Sequence, residues 1–452
     1  MNELALINPE SPVADHTVVF TPPSEDLKNE CYQFASALAE NCFCIYHCGQ
    51  FFYYNSHYHV VDQTNGEQPK IQIAQLAKSA GIPPLYQNVN TIYNQLKVSA
   101  KQVEIMPNPS KYILYQNGLL DVETQHLKPP TPQIFNTGCI MANFSPEKSG
   151  NHPVFDKFLY EASMGDEVWI KRAWQMIGYI LSPDTSAKRI FFLVGASNTG
   201  KSILGRLLIH LLSPTLTCSL SLENLCNHHF AASELFYKRL CVSGDEGNKP
   251  ISSNGIALLK TLSGHDYITS DRKNKSQVTF SPTAKQVICS NHNLHTTIAT
   301  SDPSFQSRLL VLPFLNPIPV EKQDAYLLDK LWTERDSIVT DAFYHYCQLA
   351  SNHYQFAGDG CHYENELTFL NGTMPYDELE EFLSTACLFD EMIFTPTEVL
   401  YQAFNEHHPG CFKDSTSFSR AVSNLCQNKP VTTTRKRTEN GNLRGFVGIG
   451  IL

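Results

Sequence analysis

The sequence predicts an α/β protein built around a parallel sheet, flanked by an amino-terminal α+β region and a carboxyl-terminal helical module that ends in a β-ribbon. Three observations carry this. Short apolar runs, "RIFFLV" (189–194), "KRLCVSGDE" (238–246), "AKQVICSN" (284–291) and "SRLLVLPF" (307–314), alternate with helical patterns and polar loops, as strands buried on both faces do. The first run leads into a glycine-rich loop and then a helix, which sets the loop at the carboxyl edge of the sheet. The 452 residues exceed one ordinary core, so further modules must flank this one.

Composition narrows the classes. Charged residues make up 17% and the hydrophobic set 42%, the balance of a soluble globular chain. A net charge of -10 excludes a protein that coats nucleic acid along its whole surface, so any DNA contact must be local. The start, "MNELALINPESPV", has neither a basic segment nor an apolar run of signal-peptide length, and no stretch reaches membrane-spanning length, so a cytoplasmic location is expected. The 14 cysteines are scattered through apolar segments and read as reduced, buried thiols. Their one cluster, Cys42, Cys44, His47 and Cys48, lacks a second ligand pair and continues into the aromatic run "GQFFYYNSHYHVV", so strand cysteines are expected rather than a zinc site. No repeats or low-complexity tracts occur.

In chain order, residues 1–148 form the α+β region, with helical patterns in "EDLKNECYQFASALAE" and "IQIAQLAKSAG" and an Asn-Gly hairpin in "YILYQNGLLDVETQHLKPP". Residues 149–186 form a helical collar, because "FDKFLYEASMGDEVWIKRAWQMIGYIL" keeps helical spacing until "SPDTS" ends it. The sheet occupies 187–320 and a helical segment 321–371. Residues 372–452 read as a winged helix: two amphipathic helices with Thr and Ser caps, "TPTEVLYQAFNEH" and "STSFSRAVSNLC", precede two strands joined around Asn440 and Gly441.

The loop "GASNTGKS" comprises Gly195, Ala196, Ser197, Asn198, Thr199, Gly200, Lys201 and Ser202 and fits G-x-x-x-x-G-K-[ST]. Its glycines let successive N–H groups point inward at phosphate oxygens, and the following helix adds its positive end. Lys201 is expected to reach the β and γ phosphates of ATP, and Ser202 to ligate Mg²⁺. A hydrolytic site needs carboxylates on a neighbouring strand, and "RLCVSGDE" ends in two: Asp245 is assigned the metal and Glu246 the attacking water. Asn291, after the third run, is suited to a γ phosphate or that water, since an amide does not repel phosphate. Arg308, at the entrance of the fourth run, either makes a surface ion pair or reaches a neighbouring subunit's phosphate.

"GASNTGKS", "SGDE", "LLKTLSGHDYITSDRKNKSQVTFSPTAKQVICSNHNL" and "SRLLVLPF", in that order, resemble the successive motifs of superfamily 3 helicases, and within them the phage/plasmid primase-helicase family that includes poxvirus-type members. Asn198 and the segment Leu262 to Asp266 are typical of that family, and "NGLLDVET" and "LRGFVGIGIL" resemble its flanking regions, so the resemblance covers about residues 100–452. It implies an AAA+ type core that assembles as a ring, expected to be a homo-hexamer, with Arg308 as an arginine finger; relatives often carry two adjacent arginines where this chain has Ser307 and Arg308. It also implies a pore hairpin between the second and third strands, with Arg272, Lys273 and Lys275 near its turn, where cations grip phosphates of one DNA strand without reading sequence.

In the carboxyl module Arg435, Lys436, Arg437 and Arg444 form a basic cluster suited to phosphate or minor-groove contact, although a winged helix can equally be a protein-docking module. The first 100 residues lack a spaced Asp-x-Asp pair, and His57, His59 and Asp62 are too few for a nucleotidyl-transfer site, so any primase or polymerase partner is expected to be a separate polypeptide. The expected activity is ATP-driven DNA unwinding for replication of a mobile element. The alternative is a DNA-binding initiator that uses ATP only for assembly and needs no basic pore hairpin.

Overall fold

The computed structural model describes residues 27–62, 64, 66–103, 111–195, 197–228, 230–246, 252–272, 275–291, 303–314, 316–359, 375–408, 415–426, 430–438 and 441–452. They form two compact units, the first ending at Asp359 and the second starting at Pro375.

The first unit begins with α1 (Leu27–Glu40), the strands β1 (Cys44–His47), β2 (Gln50–Tyr54) and β3 (His59–Val61), the helices α2 (Glu67–Ser79) and α3 (Tyr86–Ser99), and β4 (Lys101–Gln102). The strands make a four-stranded sheet in the order β3-β2-β1-β4. The aromatic run of β2 is buried on both faces, which its period of two divides: Phe51 and Tyr53 pack with the helices, and Phe52 packs with Ile45, Phe135 and Tyr237. Cys44 lies inside β1 and is fully buried.

Strands β5 (Tyr112–Tyr115), β6 (Gly118–Asp121) and β7 (Leu127–Lys128) form the expected hairpin and a third strand. Tyr115 pairs with Gly118, so the two turn residues are Gln116 and Asn117, one place earlier than an Asn-Gly turn. Asn117 is drawn there because its side chain works as a substitute strand, donating to the Phe144 carbonyl and accepting from the Phe144 N–H at 2.9 and 3.0 Å.

The collar is two helices rather than one, α4 (Pro153–Ser163) and α5 (Glu167–Leu181). Met164 and Gly165 take left-handed backbone, and Asp166 caps α5 by accepting from the N–H groups of Val168 and Trp169. Helix α5 is buried from Arg172 to Leu181, as a helix apolar all round must be. Its carboxyl end receives two cations from strand entrances: Arg239 donates to the Leu181 carbonyl at 2.9 Å and Lys285 to the Ser182 carbonyl at 2.6 Å.

The central sheet contains β8 (Ile190–Val194), β9 (Thr217–Ser219), β10 (Leu240–Glu246), β13 (Lys285–Ser290) and β14 (Leu309–Pro313), all parallel, in the order β14-β8-β13-β10-β9. Every residue of β8, β13 and β14 is buried, which accounts for their continuous apolar runs. Around the sheet lie α6 (Lys201–Leu211), α7 (Leu222–Asn227), α8 (Ser253–Gly264), the short α9 (Pro303–Gln306), α10 (Leu327–Thr333) and α11 (Arg335–Ser351). In α6 the buried Leu204, Leu207, Leu208 and Leu211 recur at helical spacing. Between α8 and β13, β11 (Ile268–Arg272) and β12 (Lys275–Phe280) form an antiparallel hairpin apart from the sheet.

The second unit packs α12 (Pro375–Thr385), α13 (Thr397–His407) and α14 (Ser415–Leu425) around Phe382, Phe404, Phe418 and Phe446. Its strands are the pair β15 (Cys387–Leu388) and β19 (Gly450–Ile451), and an antiparallel sheet in the order β16-β18-β17 from β16 (Phe394–Pro396), β17 (Thr432–Thr438) and β18 (Gly441–Val447). No described helix is long and apolar enough to cross a membrane.

Candidate functional site

Strand register builds the site. Glu246, Ser290, Val194 and Pro313 are partners in one row across the carboxyl edge of the sheet. The glycine loop leaves β8 directly after this row, with the Gly195 N–H donating to the Ser290 carbonyl at 3.2 Å and the Phe314 N–H donating to the Val194 carbonyl at 2.7 Å. Gly195 has φ 155° and faces the Phe314 carbonyl where a Cβ would stand. Asn198 and Gly200 also take left-handed backbone, at φ 63° and 100°, conformations that Asn and Gly tolerate. The Asn198 carbonyl accepts from Ile318 at 2.9 Å, which ties the loop to the segment after β14.

Lys201 opens α6 and is 5% exposed. Its ammonium donates to the Gly195 carbonyl at 2.6 Å and the Thr199 hydroxyl at 3.2 Å, bridging the two ends of the loop. Ser197 and Ser202 are exposed; Ala196 lies outside the described residues. A cradle that a Cβ would fill, a helix amino terminus and a buried ammonium form a donor set that fits a polyphosphate.

Asp245 and Glu246 are the last residues of β10, and Asn291 follows β13, so the register sets them at the same edge as the loop, the amide after the adjacent strand and the acids one strand further. Between Ser243 and Glu246, β10 spends one residue more than β13 does, a bulge of the kind that re-aims a strand end beside a site.

Arg308 stands elsewhere. It precedes β14, at the amino edge of the sheet, and a five-residue strand puts about 16 Å between that edge and the loop. Its guanidinium donates to the Lys260 carbonyl at 2.8 Å, the Ser263 hydroxyl at 3.0 Å and the Ser304 carbonyl at 3.2 Å, holding the carboxyl end of α8. It also lines a cavity of about 310 Å³ with Lys188, Arg189, His353 and Tyr354.

The hairpin is braced at its base. His265 faces the Pro282 carbonyl at 2.9 Å through Nδ1 and the Thr185 carbonyl at 2.6 Å through Nε2, while the Ser281 hydroxyl donates to the His265 carbonyl at 2.9 Å. Phe236 packs edge-on against Phe280 of β12, and Tyr237 enters the amino-terminal aromatic cluster against His47, Phe52 and Phe135. At the far end Arg272 is the register partner of Lys275, and Lys273 lies outside the described residues.

In the second unit Arg435 and Arg444 are exposed and directly opposite each other on β17 and β18, a like-charge pairing that costs stability unless an anion answers it. Lys436 projects to the other face, its ammonium 5.5 Å from the centre of the Phe394 ring. Arg437 follows Lys436 in β17; Asn440 lies outside the described residues.

The histidines and cysteines of the amino-terminal sheet have structural partners. His57 meets the Tyr115 carbonyl at 3.0 Å and His59 the Cys42 carbonyl at 3.0 Å, and burial pushes His59 down to about 4. His47 meets the Val103 carbonyl at 2.6 Å, with the Cys48 thiol 3.3 Å from its other nitrogen.

Sequence reasoning missed a buried polar cluster under α5. Burial pushes Arg239 down to about 10 and Lys285 well below the usual lysine range, where the neighbouring Arg239 charge adds to the effect. Burial alone would raise Asp184, but hydrogen bonds from Tyr354, Ser186 and Tyr346 outweigh it and hold the carboxyl low.

A family of unknown function, DUF5906, matches residues 193–308, the stretch from the end of β8 to Arg308. No curated protein matches the chain. Among solved structures, the apo C-terminal region of NrS-1 is similar at 14% identity and a TM-score of 0.47, covering 94% of this chain and 100% of that one. A second, A-form structure of that region gives 14% identity and a TM-score of 0.46, covering 90% and 95%.

Proposed function

We propose that the chain is an ATP-hydrolysing, ring-forming DNA helicase of the superfamily 3 type, with an AAA+ core and a carboxyl-terminal winged helix, serving replication of a mobile genetic element. The observation that carries this reading is the row at the carboxyl edge of the sheet, where the loop, two terminal acids and an amide come from three adjacent strands. One module of that kind can bind a nucleoside triphosphate and position water against it.

In this reading the loop N–H groups and Lys201 hold the β and γ phosphates, Ser202 and Asp245 hold Mg²⁺, and bound Mg²⁺ supplies charge neutralisation on those phosphates. Glu246 orients the attacking water and accepts its proton, while Asn291 donates a hydrogen bond to the γ phosphate. Arg308 lies too far from its own loop to assist there, which suits a residue that serves a neighbouring copy in a homo-hexamer. Arg272, Lys273 and Lys275 grip one strand inside the ring, and 3'-5' movement follows the family resemblance. Arg435, Lys436, Arg437 and Arg444 hold duplex DNA outside it, and a primase or polymerase would be a separate cytoplasmic partner.

The test is strand displacement on forked DNA with ATP and Mg²⁺. Wild type should unwind and Lys201→Ala should not. Lys273→Ala combined with Lys275→Ala should bind ATP yet fail to unwind. ATP hydrolysis without unwinding on any fork would favour the initiator.

A further inference from the structure

Strands β9 and β10 carry a pair of thiols that the nucleotide reading does not use. Cys218 and Cys241 are register partners on these parallel strands. Adjacent strands lie about 4.8 Å apart, a spacing inside the Cα range of about 4.4–6.8 Å that a disulfide accepts. Register partners also point to the same face, and the Cys218 thiol donates to the carbonyl of Leu240, the residue before Cys241, at 3.8 Å.

The two positions differ in access. Strand β9 is the edge of the sheet, and Cys218 on it is half-buried, whereas Cys241 on the interior β10 is fully buried. Lys238 stands beside Cys218, its ammonium held by the carbonyls of Pro214 and Thr215 at 3.3 and 3.0 Å. The Cys241 hydrogen bond holds the Cys218 thiol below the usual cysteine range, against burial and with help from Lys238. Cys31, Cys44, Cys48, Cys139, Cys289 and Cys347 are all pushed the other way, by burial first.

We propose that Cys218 and Cys241 form a reversible thiol-oxidation site, with Cys218 the attacked thiol and Cys241 the resolving one. Hydrogen peroxide is the oxidant. The Cys218 thiolate attacks one peroxide oxygen, the O–O bond breaks, and a sulfenic acid forms as hydroxide leaves and is protonated to water. The Cys241 thiolate then displaces the sulfenic hydroxyl as a second water, closing the S–S bond; two thiols have lost two electrons and two protons to one peroxide. A disulfide formed this way is open to thiol–disulfide exchange, so an added dithiol returns both cysteines to thiols. Closure would fasten the edge strand to β10 just upstream of Asp245. None of this depends on the ATP reading.

The test is peptide mapping of the full chain after brief exposure to equimolar hydrogen peroxide, alkylation and digestion. A linked Cys218–Cys241 peptide should form before other thiols are lost and vanish with dithiothreitol. Cys218→Ser should abolish it, and Cys241→Ser should leave a sulfenic acid on Cys218 that dimedone labels. Free Cys218 and Cys241 in wild type while other cysteines oxidise would overturn the assignment, with no need of either variant.

Discussion

At Gly195 the glycine loop combines a left-handed backbone with a carbonyl where a side chain would stand. Gly195→Ala should therefore cost about 1–3 kcal/mol in urea unfolding and displace the loop, seen as lost nucleotide binding. Lys285 makes a different prediction. Its folded value is depressed, so between that value and the ordinary lysine value of 10.5 the unfolded chain binds more protons than the folded one. Stability contributed by this group should rise with pH across that window and be full above it. Lys285→Met should flatten the rise, measured as unfolding midpoints from neutral to alkaline pH. The two residues also differ in legibility. Gly195, Asn198 and Lys201 follow from a loop pattern whose chemistry is local. Lys285 and Arg239 open apolar runs and read as solvated strand entrances, because only the packed fold shows that α5 ends above them.

Among elements, the strands of the central sheet were legible because burial on both faces leaves continuous apolar runs. Strand β9 was not: three residues ending in an exposed serine give neither a run nor an alternation. The break between α4 and α5 was hidden because apolar residues keep helical spacing across Met164, while Gly165 and the Asp166 cap carry the interruption. The brace from Phe236 and Tyr237 to the hairpin and amino-terminal sheet has no local pattern, since its partners are distant in sequence. The ribbon of β17 and β18 is one basic cluster in sequence, and its pleat divides it. Arg435→Ala and Arg444→Ala should each weaken duplex binding and lower the slope of log affinity against log salt by about one. Lys436→Ala should change that slope less, because its ammonium lies over Phe394 on the other face. Fluorescence anisotropy across a salt series separates the two behaviours.

For the molecule as a whole, the parallel sheet fixes the two chemical ends of the proposed reaction at opposite edges, with the loop after β8 and Arg308 before β14. In the proposed ring, one chain would own both halves of the apparatus and complete neither alone. Two inactive variants should rescue each other on mixing. A Lys201→Ala chain still presents its arginine and an Arg308→Ala chain still presents its loop, so a mixed assembly contains some junctions with both. ATP turnover should be absent in either pure preparation, reappear in the mixture, and fall away on dilution faster than the protein concentration itself. Coordination between subunits would thus come from the length of a strand, which makes every molecule a donor to one neighbour and a recipient from another.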